Sequence, residues 1–165
     1  MHQQDGNLWI SNRFDPGILK YNLTTGVLSH LVDSSNTIGF GNCLLPSRKS
    51  NLLWQGTDKG LNSIDLKNEK VKAFESSNPS NIQQYNIISL QELENGDLLI
   101  GTQYSGAFVV NENNEFLKWR DKTSGLSSNT ILSICESADY YWLGTSNGLN
   151  RIEKKPKIVI NFGTA

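Results

Sequence analysis

The chain has 165 residues with 15 basic and 16 acidic side chains, a net charge of -1, and this balance leaves no electrostatic footprint for nucleic acid or an anionic membrane. No run approaches the ~18 apolar residues of a spanning helix, and Met1-His2-Gln3-Gln4-Asp5 is no signal peptide, so this segment is expected to be soluble and to make no membrane contact. The length suits one domain or a piece of one, able to bury ~70% of its unfolded surface if compact.

In chain order, Gly6-Asn7 turns into a first hairpin with strands near 8-11 and 18-23, and Thr24-Thr25-Gly26 leads to a closing strand at Val27-Leu31. Asp33-Ser34-Ser35-Asn36 is a polar connector. A second unit runs through Cys43-Leu44-Leu45 to Pro46, which ends the strand because it cannot donate to a ladder. The hairpin at 52-66 and the strand Val71-Phe74 complete it. Connector 75-85 and strand Ile87-Leu90 open the third unit, where Asn95-Gly96 is a strong hairpin signal. Strands near 98-101, 107-111 and 116-119 follow. The fourth unit comprises connector 120-129, strand 131-135, hairpin 141-152 and a last strand at 158-162. No run shows the 3.6-residue apolar spacing of a helix.

The hairpins are copies of one another. Trp9, Trp54, Leu99 and Trp142 recur at intervals of 45, 45 and 43 residues, each opening a strand followed by a turn glycine (Gly17, Gly60, Gly106, Gly148) and an alternating strand. Four antiparallel strands per ~45-residue unit predict an all-β chain of β-propeller blades near 6-32, 37-75, 86-120 and 130-162, a partial or small propeller in one domain. A flat meander or sandwich has no reason to repeat its hairpin sequence. The first unit lacks a segment readable as its innermost strand. Cys43 is expected to be buried and Cys135 to point to the other face of its unit, without a disulfide between them.

Leu53-Trp54-Gln55-Gly56-Thr57-Asp58-Lys59-Gly60-Leu61, its copy at 141-149, and the lead-in Gly125-Leu126-Ser127-Ser128-Asn129 resemble the two-component regulator propeller repeat. The resemblance covers nearly the whole chain and is weakest at 8-19, where Ser11-Asn12 replaces Gly-Thr. It implies the extracytoplasmic, periplasmic sensor region of a bacterial hybrid two-component system, reading a glycan-derived ligand. No membrane span, kinase or regulator is recognisable here.

Candidate chemistry is sparse. His2 and His30 have no partners at metal-ligand spacing, and Asp5, Asp58, Asp97 and Asp139 sit at or near turns, where Asp bonds local backbone. No catalytic residue, metal site or cofactor is expected, although a propeller lyase or hydrolase, or a purely structural interaction module, stays open as an alternative. The tryptophans recur at the repeat period and so are expected between blades.

A ligand site, if present, is expected where second-to-third-strand turns and outer-to-inner connectors share a face. Departures from the repeat gather there: Arg13, Phe14 and Asp15 in one turn, Tyr104 in another, and Tyr85, Arg120, Asp121 and Lys122 in the connectors. Aromatic and charged groups together suit an oligosaccharide or other small ligand. An array with uncovered terminal faces also predicts self-association or docking of further blades.

Overall fold

A computed structural model of the protein describes residues 1-32 and 38-154. Among the described residues, fifteen strands form four antiparallel sheets, each a simple meander. Blade 1 contains β1 (His2–Gln4), β2 (Asn7–Ile10), β3 (Ile18–Asn22) and β4 (Leu28–Leu31). Blade 2 contains β5 (Gly41–Pro46), β6 (Leu52–Thr57), β7 (Gly60–Asp65) and β8 (Lys70–Ala73). Blade 3 contains β9 (Ile87–Glu92), β10 (Leu98–Thr102), β11 (Ala107–Val110) and β12 (Phe116–Arg120). Blade 4 contains β13 (Ile131–Glu136), β14 (Tyr140–Thr145) and β15 (Gly148–Glu153). The strand expected at 158-162 lies outside the described residues. The described helical structure is two single 3-10 turns in the connectors, at Ile82–Gln84 and Lys122–Ser124.

Blade 1 has its innermost strand after all. His2, Gln3 and Gln4 pair with Trp9, Leu8 and Asn7. The expectation of a missing strand fails because this segment is short and polar, with no apolar alternation to mark it. The backbone ladder to β2 is enough to recruit it.

Alternation along each strand sends successive side chains to opposite sheet faces, so blades 2 and 3 each present one face to the blade before and one to the blade after. Three clusters result. Trp9 and Ile18 of blade 1 meet Leu53, Ile64 and Val71 of blade 2. Trp54, Leu61 and Phe74 of blade 2 meet Ile87, Leu98, Ile100, Phe108 and Val110 of blade 3. Leu99 and Ala107 of blade 3 meet Ile131, Leu143 and Tyr141 of blade 4. Burying each large side chain stabilises the array by ~1.5-3 kcal/mol, so the seams hold the fold together. Among the described residues no cluster joins blade 4 to blade 1.

The period-marking residues of the first three blades face the following blade. Trp9 and Leu99 are fully covered there, and Trp54 is half-buried edge-on to Phe74 at 6.0 Å. Trp142 is half-buried like Trp54 but joins none of the three inter-blade clusters, so among the described residues it is not the inter-blade core residue that the periodicity suggests. The cysteines also differ from expectation. Cys43 pairs across the sheet with Gly56, and Cys135 with Trp142, whose blade 2 counterpart Trp54 pairs with Leu45. Both thiols therefore lie on the forward faces of their blades. The misreading arises because the connection between first and second strands shortens by one residue per blade (Pro46 opposite Leu53, Glu92 opposite Leu98, Glu136 opposite Tyr141), which shifts a simple alignment. Both are free thiols, and burial pushes the Cys43 pKa up to about 12.

Glycines mark the seams. A side chain on Gly56 would meet Ile87 Cγ2 at 2.6 Å, and one on Gly101 would meet Ile131 Cβ at 2.8 Å, in each case from the next blade. At the first seam the sizes are exchanged: Ser11 occupies the small-residue position, and Gly41 faces it where the later blades carry Ile87 and Ile131. Bulk lost on one side is supplied on the other, as close packing requires.

Candidate functional site

Antiparallel meanders put the second-to-third-strand turns and the starts of the innermost strands at one end of each blade. Backbone bonds tie the two together within blades, Asp58 N to Phe40 O, Gln103 N to Asn86 O and Ser146 N to Thr130 O. They also tie neighbouring blades, Gly41 N to Asn12 O and Gly106 N to Asn129 O. The result is one continuous polar face.

Across that face runs a row of amides. Arg13 Nε donates to Asn42 Oδ1 at 3.0 Å. The guanidinium can only donate, so Asn42 must turn its oxygen toward it. That commits Asn42 Nδ2 to donate onward, to Asn86 Oδ1 at 2.8 Å and to Ile87 O at 2.9 Å. Asn86 Nδ2 then donates to Gln103 Oε1 at 2.5 Å, and Thr130 Oγ1 donates to Gln103 O. Donors run in one direction from the exposed guanidinium at its head to Gln103, and Thr130 of blade 4 closes the row by donating back to the Gln103 carbonyl, so all four blades are linked. Bonds chained in this way polarise one another. Asn42 can enter the row because it is the extra residue of a bulge between Gly41 and Cys43, where the side chain is freed from the regular alternation.

Apolar groups stand around this row. Phe14 is 89% exposed, Tyr104 72%, Leu132 56% and Phe40 40%. Phe14 is held outward by the local turn: the carboxamide oxygen of Asn12 accepts from both Phe14 N (2.7 Å) and Asp15 N (2.8 Å). Pro16 forms a bridge with Phe40 of the next blade, so the aromatic loop is anchored to blade 2. Tyr104 projects from the equivalent turn of blade 3, where Thr102 Oγ1 accepts from Ser105 N at 2.9 Å. Exposed aromatic faces beside amide donors and acceptors can stack on one side of a ligand and bond the polar groups along its edge.

The other candidates separate from this group. Tyr85 packs between blades 2 and 3, its ring 4.6 Å from Phe108 and 5.5 Å from Phe116, so it belongs to a seam. Asp121 caps the second 3-10 turn, accepting from Ser124 N, and pairs with Lys118 at 2.7 Å. The bonds from Lys118 and Thr123 hold its carboxyl well below the usual range. Lys122 N donates to Asn129 Oδ1, and the Arg120 guanidinium lies over the Trp119 ring at 5.9 Å. These residues stiffen the connector between blades 3 and 4. Asp15 is exposed beside Phe14. Asn42 and Asn86 escaped the sequence reading, although Gln103 stood beside Tyr104 in a turn that departs from the repeat. Among the described residues, no group of three His, Cys, Asp or Glu is placed to hold a metal ion.

Residues 125-147 match the family model described as two component regulator propeller. No curated protein matches the chain. Among solved structures, the chain is similar to the extracellular domain of a protein from B. thetaiotaomicron assigned as a one component system. Identity is 25% and TM-score 0.72, over 92% of this chain and 20% of that one. It is also similar to the extracellular domain of a B. thetaiotaomicron protein assigned as a hybrid two component system, with 25% identity and TM-score 0.70 over 93% and 19% of the two chains. PorZ, a surface component of the type-IX secretion system of Porphyromonas gingivalis, shares the fold at 19% identity and TM-score 0.66, over 83% and 22%. The chain thus spans about a fifth of the length of these structures.

Proposed function

We propose that this chain, which matches the two component regulator propeller model over residues 125-147 and is similar in fold to extracellular domains of B. thetaiotaomicron signalling proteins, is a non-enzymatic sensing segment of a bacterial signalling protein, working outside the cytoplasm. Its ligand is a glycan-derived fragment, taken on the face that carries Arg13, Phe14 and Tyr104. The observation that carries this reading is the amide row from Arg13 through Asn42 and Asn86 to Gln103, flanked by the exposed rings of Phe14 and Tyr104. Hydroxyl-rich ligands need alternating donors and acceptors at short intervals, and carboxamides supply both without a charge to desolvate. Aromatic faces accept the apolar side of a sugar ring. Arg13 at one end adds a place for an acidic sugar's carboxylate.

Because the row crosses blade boundaries, a ligand seated on it touches several blades at once and can bias how they sit together, which is the requirement for transmitting a signal. The test is calorimetric titration of the chain with neutral and uronic-acid oligosaccharides. Binding should weaken by about tenfold or more in Tyr104→Ala and Asn42→Ala, as expected for loss of one stacking or hydrogen-bonding group worth ~1.4 kcal/mol. Selective loss of the acidic ligands in Arg13→Gln would identify the carboxylate end. Absence of heat with every oligosaccharide, or affinities untouched by all three substitutions, would refute the assignment.

A further inference from the structure

The forward face of blade 4 repeats, position by position, surfaces that are buried elsewhere in the chain. The residue after each turn glycine is Ile18, Leu61, Ala107 and Leu149; the first three are 0% exposed and Leu149 is 65% exposed. Gly144 stands where Gly56 and Gly101 stand, yet the three atoms nearest to a side chain built on it all belong to Ser133 of its own blade. Gly56 and Gly101 have a physical reason, the isoleucine of the following blade pressed against them. A glycine inside a strand otherwise only weakens it.

The two later seams also share a polar clasp. The innermost strand of the incoming blade ends in a glutamate that accepts a backbone N–H from the preceding blade: Arg48 N to Glu92 Oε2 at 2.7 Å, and Glu94 N to Glu136 Oε2 at 2.8 Å. Both strands read Ile-x-Ser-x-x-Glu, at Ile87–Glu92 and Ile131–Glu136. Ser89 Oγ donates to Ile131 O at 2.8 Å, and Ser133 repeats Ser89 in blade 4. The amide equivalent to Arg48 N and Glu94 N is that of Ala138, two residues beyond Glu136.

We infer that the face formed by Cys135, Trp142, Gly144 and Leu149 is one half of a further seam. Its occupant is another propeller blade, with Ile or Val in its innermost strand against Gly144 and a carboxylate five residues later to take Ala138 N–H. Continuity with three existing seams supports this occupant, and the related structures, of which this chain spans about a fifth, have the length to supply it. A second copy of this chain fits less well. Both of its Ile-x-Ser-x-x-Glu strands are already used, and its free blade 1 brings Gln3, a neutral amide, to the carboxylate position.

The face carries its own reporter. Cys135 is exposed in the row Cys135, Trp142, Arg151, whereas Cys43 is partly buried against the seam between blades 2 and 3. The rate of Cys135 modification by Ellman's reagent is measured in the native chain and in a chain extended after Ala165 by a second copy of residues 75-120. The native chain should react at a free-thiol rate that does not depend on protein concentration. In the extended chain the rate should fall about tenfold or more, as in a protected segment that must open first. Gly144→Val in the extended chain should restore fast labelling. Unchanged labelling in the extended chain, whether or not its circular dichroism gains strand signal, overturns the inference. Concentration-dependent protection of the native chain does so too, by making a second copy the occupant.

Discussion

Leu61 and Leu149 hold the same place in two copies of one hairpin, yet the array should make their replacement by alanine very unequal. Leu61 is 0% exposed, enclosed at the seam by Phe74, Ile82 and Ile87. Its truncation loses the whole transfer term and leaves a cavity among side chains held by two blades, so Leu61→Ala should cost ~3-4 kcal/mol within the usual range for buried leucines. Leu149 is 65% exposed, so about a third of its surface contributes to burial. At ~2 kcal/mol for complete burial of such a side chain, Leu149→Ala should cost ~0.7 kcal/mol, with no enclosed cavity to add. Urea denaturation followed by tryptophan fluorescence, with equal slopes required before midpoints are compared, measures both. A gap of at least ~2 kcal/mol is expected between the two variants. Equal costs in a monomeric sample would refute the reasoning, because they would mean that burial at this position does not depend on the neighbouring blade.

The turn glycines give a second comparison. Gly60 and Gly148 have φ of 93° and 110°, so Gly60→Val and Gly148→Val are both strained at the backbone. A side chain at Gly60 would in addition lie 2.7 Å from Gln83 Cα and from Ile82 O, while nothing lies within 4 Å at Gly148. Gly60→Val should therefore lower the melting temperature clearly more than Gly148→Val; the reverse order would count against the seam geometry. The third expectation concerns pH. The depressed pKa of Asp121, set first by its bond from Lys118 and then by Thr123, is below its unfolded value of ~3.9. Whatever support the cap lends is complete above that value and is lost as pH falls through the folded pKa. The amide shift of Ser124, followed by NMR during acid titration, should stay constant from neutral pH to below ~3.9 and move only under more acid conditions. A midpoint at the ordinary carboxylate value would show that the Lys118 and Thr123 bonds do not form.

The repeat, the four-unit plan and the hairpin turns are all local in origin. A half-buried strand must alternate, and a tight turn at positive φ must use glycine, so Leu-Trp-x-Gly-Thr-x-x-Gly-Leu writes its own structure wherever it occurs. The blade 1 innermost strand was not legible, because His2-Gln3-Gln4 is recruited by backbone pairing that leaves no mark in side-chain pattern. Nor was the amide row. It depends on a bulge at Asn42 and on which end of one blade meets which end of the next, and neither is a property of any single segment. The sequence points Tyr85 to the ligand face because a connector aromatic is exposed by default; the stacked Phe108 and Phe116 hold it in the seam instead. Leu149 carries the same local code as Leu61 and ends 65% exposed where Leu61 is 0% exposed. A sequence determines which face of a strand is apolar, but burial is a property of two surfaces in contact, and only the tertiary arrangement says whether the second surface is there.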